Sequence, residues 1–407
     1  MLFYLPDWDD RVDREYDFEH DRHSIKHNRD PYLYDAYIWE IYDEVPLDGV
    51  LVSRVIVENN KRKKSAIMIR GIRKYLRLPS KYPILGDCGA WGYMNQDKPP
   101  YDPKETIDYY VKAGFNEGVT VDHLIVPQYA EKKEERMKIT FKNGIEGFNY
   151  WKEKYKEVLD LLVAVQGWSV EDYLTMFKDY YNHGIRMFAF GGLARSTTAF
   201  IEKLLLKLIE LIKGLSDRPS RIHFFGIARP KLFPLFRDLE ELGVTVSFDS
   251  AGFLRRAWLS SKANYCTLSG KTYTAIRIPF ANTPLLRRYE LKALETLRKY
   301  DRGEASLDET IKALEEYERT RKSGKNFLKY YLVTLRDKPW KKCPCKICRE
   351  IGVEIIIFRG NNRNRRRGFH NVWVFYNLFK LGKWSLIVGE NQEQHMVKQT
   401  QLMEYIS

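Results

Sequence analysis

The sequence predicts an α/β fold, a TIM-type (β/α)8 barrel, because short apolar runs ending in a polar residue or glycine alternate with segments of helical periodicity. Near-continuous apolar runs are typical of parallel strands that are covered by helices on both faces. Seven such units lie between residues 49 and 250, more than a flavodoxin-type sheet usually holds and one short of a complete barrel. A doubly wound open sheet is the structural alternative.

The predicted strands follow one another along the chain. They are the runs at 49–58, 83–87, 123–128, 161–167, 186–192, 221–227 and 244–250. One of the intervening helices is predicted to begin after Ser169, a capping residue with Glu171 in the first turn behind it. For the eighth strand we favour "VEIIIF" at 353–358, with a charged, mostly helical insertion at 287–329 before it.

No low-complexity tract or Gly/Ser linker divides the chain into loosely tethered domains. We predict three parts. Residues 1–44 are an N-terminal extension packed on the barrel, 45–335 are the TIM-barrel catalytic domain, and 336–407 are a zinc-binding and C-terminal subdomain that completes the barrel.

The charge balance makes a polyanion the first partner to consider, since 68 Lys and Arg face 54 Asp and Glu and the net charge is +14. No apolar run approaches the ~18 to 20 residues of a membrane span. The acidic N-terminus lacks the basic-then-apolar pattern of a signal peptide. We therefore expect a soluble cytoplasmic protein, not associated with membranes, whose cysteines are reduced.

Three of the five cysteines lie within six residues and suggest a metal site. With Cys343, Cys345 and Cys348 supplying thiolates and His370 an imidazole, four ligands complete a tetrahedral zinc site that leaves no position for water, so the zinc would be structural. The histidines within residues 20–27 could imitate a second cluster, but their acidic, polar setting favours a solvated segment.

An arginine-rich stretch, "RGNNRNRRRG", separates the last cysteine from His370. Because guanidinium groups match phosphate oxygens, we expect a zinc-pinned loop that clamps a nucleic-acid backbone; a merely solvated basic loop is the alternative. Two more arginines follow a predicted strand end, where a charged helix start explains them equally well. The candidate phosphate contacts are Arg255, Arg256, Arg359, Arg363, Arg365, Arg366 and Arg367.

The carboxyl ends of the strands should meet at one mouth, where the chemistry of a TIM barrel takes place. Paired carboxylates there suit displacement at a glycosidic carbon, where one attacks the anomeric centre and the other moves protons. As an alternative, the aspartates cap the helices that follow them. The residues at these ends are Asp87, Gln128, Gln166, Gly191, Gly192 and Asp249.

Five motifs in this order resemble the tRNA-guanine transglycosylase superfamily: "GDCGAW", "VAVQGW", "FGGLARS", "FDS" and the C-x-C-x2-C…H site. The resemblance runs from about residue 45 to the end. It implies a zinc-bearing TIM barrel that exchanges a guanine in a polynucleotide for a 7-deazaguanine. The N-terminal "LPDWDDRVD", the "GVLVSR" strand and the arginine-rich stretch look more like the DpdA-type DNA transglycosylases than the tRNA enzymes.

The resemblance assigns roles residue by residue. Asp249 matches the nucleophile and Asp87 the general acid/base, and the three cysteines and the histidine match the zinc ligands. Gln128 falls at the second base-reading aspartate when the run from Asp122 is aligned, which puts the tRNA enzymes' choice of base in doubt. The other positions that read the purine edge are Gln166, Gly191, Gly192 and Leu193.

The resemblance also implies partners: DNA and a 7-deazaguanine base, 7-cyano-7-deazaguanine or a derivative, in a bacterial or phage-infected cell. A helper protein of the same modification system and a homodimer are further partners that it raises, and tRNA is the alternative polymer. Two other classes are a non-catalytic nucleic-acid-binding barrel and a radical enzyme with iron–sulfur cysteines. The C-x-C-x2-C spacing is not the usual spacing of such clusters.

Overall fold

The computed structural model describes residues 1–321 and 327–388, and its centre is a closed barrel of eight parallel strands. The barrel closes where β1 pairs with β8. The predicted TIM-type barrel is therefore confirmed, and the open-sheet alternative is wrong. The strands are β1 (Leu2–Pro6), β2 (Gly49–Ser53), β3 (Ile84–Asp87), β4 (Glu117–Val119), β5 (Asp160–Val165), β6 (Met187–Phe190), β7 (Arg221–Phe224) and β8 (Thr245–Asp249).

The eighth strand of the barrel is the first in the chain. Residues 353–358, favoured for that place, instead form a 3-10 turn (Gly352–Ile356) and a two-residue strand that pairs with Ile276–Arg277. The prediction was wrong because β1 pairs with β8 only on closure, a contact between the two ends of the barrel sequence that no local pattern records.

A second correction concerns β4. The apolar run at 123–128 was predicted to be this strand, but β4 is the three-residue segment Glu117–Val119, and the run follows it. The other six predicted runs overlap barrel strands, although the run at 49–58 turns into a helix after Ser53.

The helices alternate with the barrel strands as predicted, and Ser169 caps its helix in a reciprocal pair with Asp172. Two long helices lie in the predicted insertion at 287–329, of which residues 322–326 fall outside the described residues. The helices are α1 (Ile25–Arg29), α2 (Pro31–Tyr34), α3 (Arg54–Glu58), α4 (Lys61–Arg70), α5 (Ile72–Leu76), α6 (Pro103–Ala113), α7 (Lys133–Lys154), α8 (Val170–Asn182), α9 (Thr198–Lys213), α10 (Phe233–Glu241), α11 (Gly252–Leu259), α12 (Pro284–Arg302), α13 (Leu307–Arg321), α14 (Leu328–Asp337), α15 (Pro339–Lys342), α16 (Lys346–Ile351) and α17 (Gly360–Lys380).

The chain forms two compact units. The barrel unit consists of Met1–Trp8 and Leu47–Ala251, and the second unit of Asp9–Pro46 and the described chain from Gly252 onward. The boundaries predicted at 44 and 335 are thus replaced, because the first residues supply a barrel strand and the chain leaves the barrel unit directly after β8.

Each unit has its own interior. In the barrel, residues that alternate along the strands fill the centre, among them Tyr4, Leu51, Leu85 and Leu162. The second unit contains the remaining strands in two small sheets: β9 (Tyr265–Cys266) with β10 (Thr272–Tyr273), and β11 (Ile276–Arg277) with β12 (Ile357–Phe358). In the part of the chain that the structure describes, no helix has the length and apolar character needed to cross a bilayer.

Candidate active site and metal centre

Two aspartates stand at the mouth of the barrel, as predicted. Asp87 ends β3 and Asp249 ends β8. Oδ1 of Asp249 accepts hydrogen bonds from the backbone N–H of Gly226 (2.9 Å) and from Nε2 of His223 (3.3 Å). Oδ2 of Asp87 accepts a hydrogen bond from the backbone N–H of Gly89 (3.2 Å). Gly89, rather than Asp87, is the N-cap of the short helix that follows, so the alternative role of Asp87 as a helix cap is not seen.

The surroundings of Asp87 prepare it to exchange a proton near neutral pH. Its Oδ1 is shielded from solvent and has no hydrogen-bond partner among the described residues. Burial raises the pKa of Asp87 to about 7; the Ser53 hydroxyl opposes this, and the charges of Asp122 and Asp249 add to it. A carboxyl group with this pKa can donate a proton and take one back in the same reaction cycle.

A third carboxylate, Asp122, belongs to the same mouth and is not among the predicted site residues. It is 6% exposed. The Cys88 thiol donates to Oδ1 of Asp122 (2.9 Å), and Nε2 of Gln166 donates to its Oδ2 (2.5 Å). Burial raises the pKa of Asp122, a shift that these two neutral donors oppose. The sequence feature that could have identified it is the stretch "TVDHLIV", in which Asp122 interrupts an apolar run.

Gln128, predicted to read the base, is not part of this network. It is exposed in the 3-10 segment Pro127–Lys132. The prediction was wrong because the apolar run before it is not the strand. The barrel strand ends at Val119, and Asp122, three residues later, is the residue that bonds with Cys88 and Gln166, so a carboxylate rather than an amide occupies this place.

Gln166 lies at the end of β5, the strand-end position predicted for it, and is fully buried. Its Oε1 is buried and has no hydrogen-bond partner within the described chain. A buried acceptor of this kind costs free energy unless a ligand donates to it, so the site suits a molecule that brings an N–H group.

The glycine pair after β6 leaves room for this glutamine. A Cβ at Gly191 would lie 2.2 Å from Nε2 of Gln166, and one at Gly192 2.7 Å from its Oε1. Gly192 also has φ of +75°, a conformation that disfavours other residues. Leu193 follows, fully buried. The predicted residues Gln166, Gly191 and Gly192 thus come together beside Asp122, and Leu193 is the next residue in the chain.

Sequence reasoning also missed His223. It is fully buried in β7, with Nδ1 2.9 Å from Oγ of Ser247 and Nε2 3.3 Å from Oδ1 of Asp249. The sequence feature that could have identified it is a histidine inside the apolar run "RIHFFG", one residue before the end of β7, where alternation directs it into the barrel.

The predicted metal ligands also meet. The ligand atoms of Cys343, Cys345, Cys348 and His370 all lie within 4.8 Å of one another. Nδ1 of His370 is 3.7, 3.4 and 3.4 Å from the three sulfurs in that order. Its Nε2 lies 2.8 Å from the carbonyl of Cys266, an arrangement that keeps the proton on Nε2 and leaves Nδ1 free for a metal ion. The donor set fits a closed tetrahedral zinc site.

The arginine-rich stretch is not a loop, and four of its five arginines are not free for phosphate. Residues 360–380 form α17. Arg363 pairs with Asp21 and with Glu354 (2.7 Å), and Arg359 with Asp21 (2.6 Å) and Glu290 (2.7 Å). The phosphate-clamp prediction is therefore wrong for the buried members, Arg359, Arg363, Arg366 and Arg367, exposed by 1%, 0%, 4% and 0%.

The remaining candidate phosphate contacts differ from these. The side chain of Arg365 is 33% exposed and lies 3.3 Å from Oδ1 of Asp10. Arg255 and Arg256 are half-buried on α11. Their contact with phosphate stays a prediction.

The second histidine group is more ordered than the expected solvated segment. His23 and His27 stack with ring centroids 3.5 Å apart, and their Nδ1 atoms face Asp13 (3.2 Å) and Asp35 (2.9 Å). Asp13 also accepts from the N–H and hydroxyl of Ser24. Because these bonds occupy both carboxylate oxygens of Asp13, we interpret the histidine group as a set of structural contacts that stabilise this segment.

Comparison with known proteins agrees with this geometry. No protein-family model matches the chain. The chain is 33% identical over 416 residues to a DNA-guanine transglycosylase of Salmonella montevideo, an alignment that covers 93% of this chain and 96% of that protein.

Proposed function

The chain belongs to the DNA-guanine transglycosylases of the tRNA-guanine transglycosylase superfamily, and we propose that it exchanges a guanine in DNA for a 7-deazaguanine base, 7-cyano-7-deazaguanine or a derivative of it. The observation that carries the proposal is the difference between two carboxylates at one mouth. Asp249 is held by hydrogen-bond donors, whereas burial raises the pKa of Asp87 to about 7. Such a pair divides naturally into a nucleophile and a proton carrier.

In the first displacement Asp249 attacks C1′ of the target nucleotide. The bond from C1′ to N9 breaks, and its electron pair leaves with guanine, which takes a proton from Asp87. A covalent glycosyl-aspartate forms with inversion at C1′. The nucleotide must first leave the base stack, which costs a few kcal/mol.

In the second displacement N9 of the incoming 7-deazaguanine attacks C1′. Asp87 takes the proton from N9, the bond from C1′ to Asp249 breaks, and the carboxylate returns to its charged form, so that two inversions give net retention. Guanine can leave with a proton on N7, whereas the deazapurine has carbon there and leaves less readily. This difference favours exchange in one direction.

The base is read by the network beside the carboxylates. Asp122 offers carboxylate oxygens and Gln166 an unpaired Oε1, which suit the N–H groups on the edge of a guanine-like base. Gly191 and Gly192 leave room for that glutamine, and we keep the predicted base contact for the buried Leu193 that follows them. Asp122 takes the role predicted for Gln128.

We propose that Cys343, Cys345, Cys348 and His370 hold one Zn2+ with a structural role, since four protein ligands leave no place for a reacting water. Metal analysis should find one zinc per chain in the wild-type protein. In Cys345→Ser we expect both the zinc content and the thermal stability to fall. Iron and sulfide in place of zinc would contradict it.

The proposal is tested by base exchange with three polymers. Duplex DNA, single-stranded DNA and total tRNA are each supplied with 7-cyano-7-deazaguanine, digested and analysed as nucleosides by mass spectrometry. We expect the modified deoxynucleoside with the wild-type protein and none with Asp249→Ala. The modified ribonucleoside from tRNA alone would overturn the choice of DNA, and tight DNA binding without product from any polymer would favour a binding protein.

A further inference from the structure

The carboxylate of Asp249 is held through one of its two oxygens. Both hydrogen bonds that it accepts, from the N–H of Gly226 and from Nε2 of His223, end on Oδ1. Within the described residues no donor reaches Oδ2. Since a carboxylate oxygen that accepts fewer hydrogen bonds is the stronger nucleophile, this asymmetry selects Oδ2 as the attacking atom.

The side-chain donor to Asp249 is His223, and its contacts determine which ring nitrogen carries the proton. Asp249 has only acceptors when charged, so His223 must carry its proton on Nε2 to face it at 3.3 Å. Nδ1 of the imidazole is then an acceptor, 2.9 Å from Oγ of Ser247. The hydroxyl of Ser247 can donate its proton to Nδ1 of His223, because the Ser247 oxygen itself accepts a hydrogen bond from Arg221 (3.4 Å).

The chain of hydrogen bonds continues across the barrel to a fixed charge. Arg221 forms an ion pair with Glu117, and it donates to Oη of Tyr4 (2.8 Å). Tyr4 in turn donates to Glu117 (3.1 Å). These groups sit on strands β1, β4 and β7, so the imidazole is oriented by rigid elements.

Packing also leaves the imidazole little freedom. Its ring meets the rings of Phe225 and Tyr4 edge to face, with centroids 4.7 and 5.9 Å away. Gly226, the second donor to Oδ1, has φ of +69°, and a Cβ there would lie 3.0 Å from Cβ of Ala194. Both donors are therefore set before a substrate arrives.

We propose that His223 is a positioning residue of the reaction, which holds Oδ1 of Asp249 by a proton on Nε2, leaves Oδ2 to attack, and favours return of the carboxylate in the second displacement. The inference rests on the proposed function. In the covalent intermediate Oδ2 is bonded to C1′ and Oδ1 is an ester carbonyl. A hydrogen bond to a carboxylate is stronger than one to a neutral carbonyl, so the imidazole stabilises the free enzyme more than the intermediate.

Removal of this donor therefore shifts the balance toward the covalent intermediate. Guanine reverses the first displacement, so the guanine concentration that halves the adduct at fixed DNA measures that balance directly. A lost charged hydrogen bond corresponds to about a tenfold change in this concentration. A residue that merely filled space would change the amount of active protein but not this midpoint.

The experiment titrates guanine against the protein–DNA adduct, resolved on a denaturing gel, for wild type, His223→Leu, His223→Gln and Ser247→Ala. We expect the midpoint to rise about tenfold in His223→Leu, to return to the wild-type value in His223→Gln, whose amide N–H can replace Nε2, and to rise less in Ser247→Ala. Equal midpoints in wild type and His223→Leu would overturn the inference.

The controls separate folding and function from positioning. Zinc content and thermal unfolding report whether each variant folds. If His223→Leu does not fold, Ser247→Ala decides: a raised midpoint supports the inference, and a wild-type midpoint overturns it. If the wild-type protein forms no adduct and exchanges no base, the proposed function fails and this inference with it, whereas an adduct with unchanged midpoints refutes the positioning role alone.

Discussion

The mouth of the barrel and helix α17 each gather buried charge of one sign, but the two regions treat it differently. The mouth carboxylates (Asp87, Asp122 and Asp249) accept hydrogen bonds from neutral thiol, amide, imidazole and backbone donors. The arginine cluster (Arg359, Arg363, Arg366 and Arg367) donates to carboxylates, a side-chain amide and backbone carbonyls.

The difference lies in what compensates the charge. In the arginine cluster, Arg359 and Arg363 pair with carboxylates, and Arg366 and Arg367 donate to backbone carbonyls and asparagine side chains, which is the pattern of a structural network. In the mouth, burial and the charges of Asp122 and Asp249 raise the pKa of Asp87, and one buried oxygen of Asp87 has no partner in the described chain. Uncompensated buried charge in a cleft marks a functional site, whereas a dense run of arginines in a sequence does not by itself mark one.

The largest effect should come from Asp249→Asn, which removes a mouth charge and keeps the shape. The nucleophile is lost, so base exchange should fall on the order of 10^4-fold or more and the covalent adduct should disappear. Initial rates by nucleoside mass spectrometry and a denaturing gel measure both. Asp238→Asn, at an exposed position on α10, is the matched control and should retain full activity. An adduct formed by Asp249→Asn would show that another residue attacks.

In the arginine cluster the corresponding change should affect stability instead. Arg363→Met removes the buried guanidinium that joins Asp21 to Glu354 and should cost about 3–5 kcal/mol of unfolding free energy. Urea unfolding measures this, with Arg365→Met, a partly exposed pair, as a control that should cost less than about 1 kcal/mol. The salt dependence of DNA binding should be unchanged in Arg363→Met. A mild loss of stability with a shallower salt slope would indicate a phosphate contact instead.

Replacing Asp87, the proton carrier, by a neutral residue is expected to stabilise the protein, the opposite of the result expected in the arginine cluster. The pKa of Asp87 is raised from 3.8 to about 7, so between these values the folded state binds more protons than the unfolded state, and stability falls as pH rises. Asp87→Asn should therefore be more stable than wild type by up to about 4 kcal/mol at pH 8 and equal to it near pH 3.

Thermal or urea unfolding across this pH range checks the prediction, and base exchange by the same variant should be strongly reduced. If Asp87→Asn were less stable than wild type at pH 8, the carboxylate would be compensated in the folded protein and the contrast with the arginine cluster would fail.

The smallest effect is expected from Gln128→Ala, since this residue is exposed and outside the mouth network. Stability should stay within about 0.5 kcal/mol of wild type and base exchange should be unaffected. Gln166→Ala is the matched variant, and it should weaken use of the incoming base, seen as a higher KM for 7-cyano-7-deazaguanine. Equal losses in both variants would return Gln128 to the base-reading role.

Much of the fold and part of the site followed from the sequence alone. The alternation of apolar runs with helical segments indicated the barrel, because strand and helix periodicity are local properties of the chain. The strand-end positions of Asp87, Gln166 and Asp249 followed from the same pattern, and the four metal ligands from side-chain chemistry and spacing.

Only the tertiary structure decided the rest. Strand β1 became the eighth strand through closure with β8, Asp122 rather than Gln128 reached the mouth, and His223 met Asp249 across neighbouring strands. The arginines of α17 found Asp21 and Glu290, residues far away in the chain. The physical reason is the same in each case: which charges are compensated, and which groups share a site, depends on contacts between distant segments that local periodicity does not record.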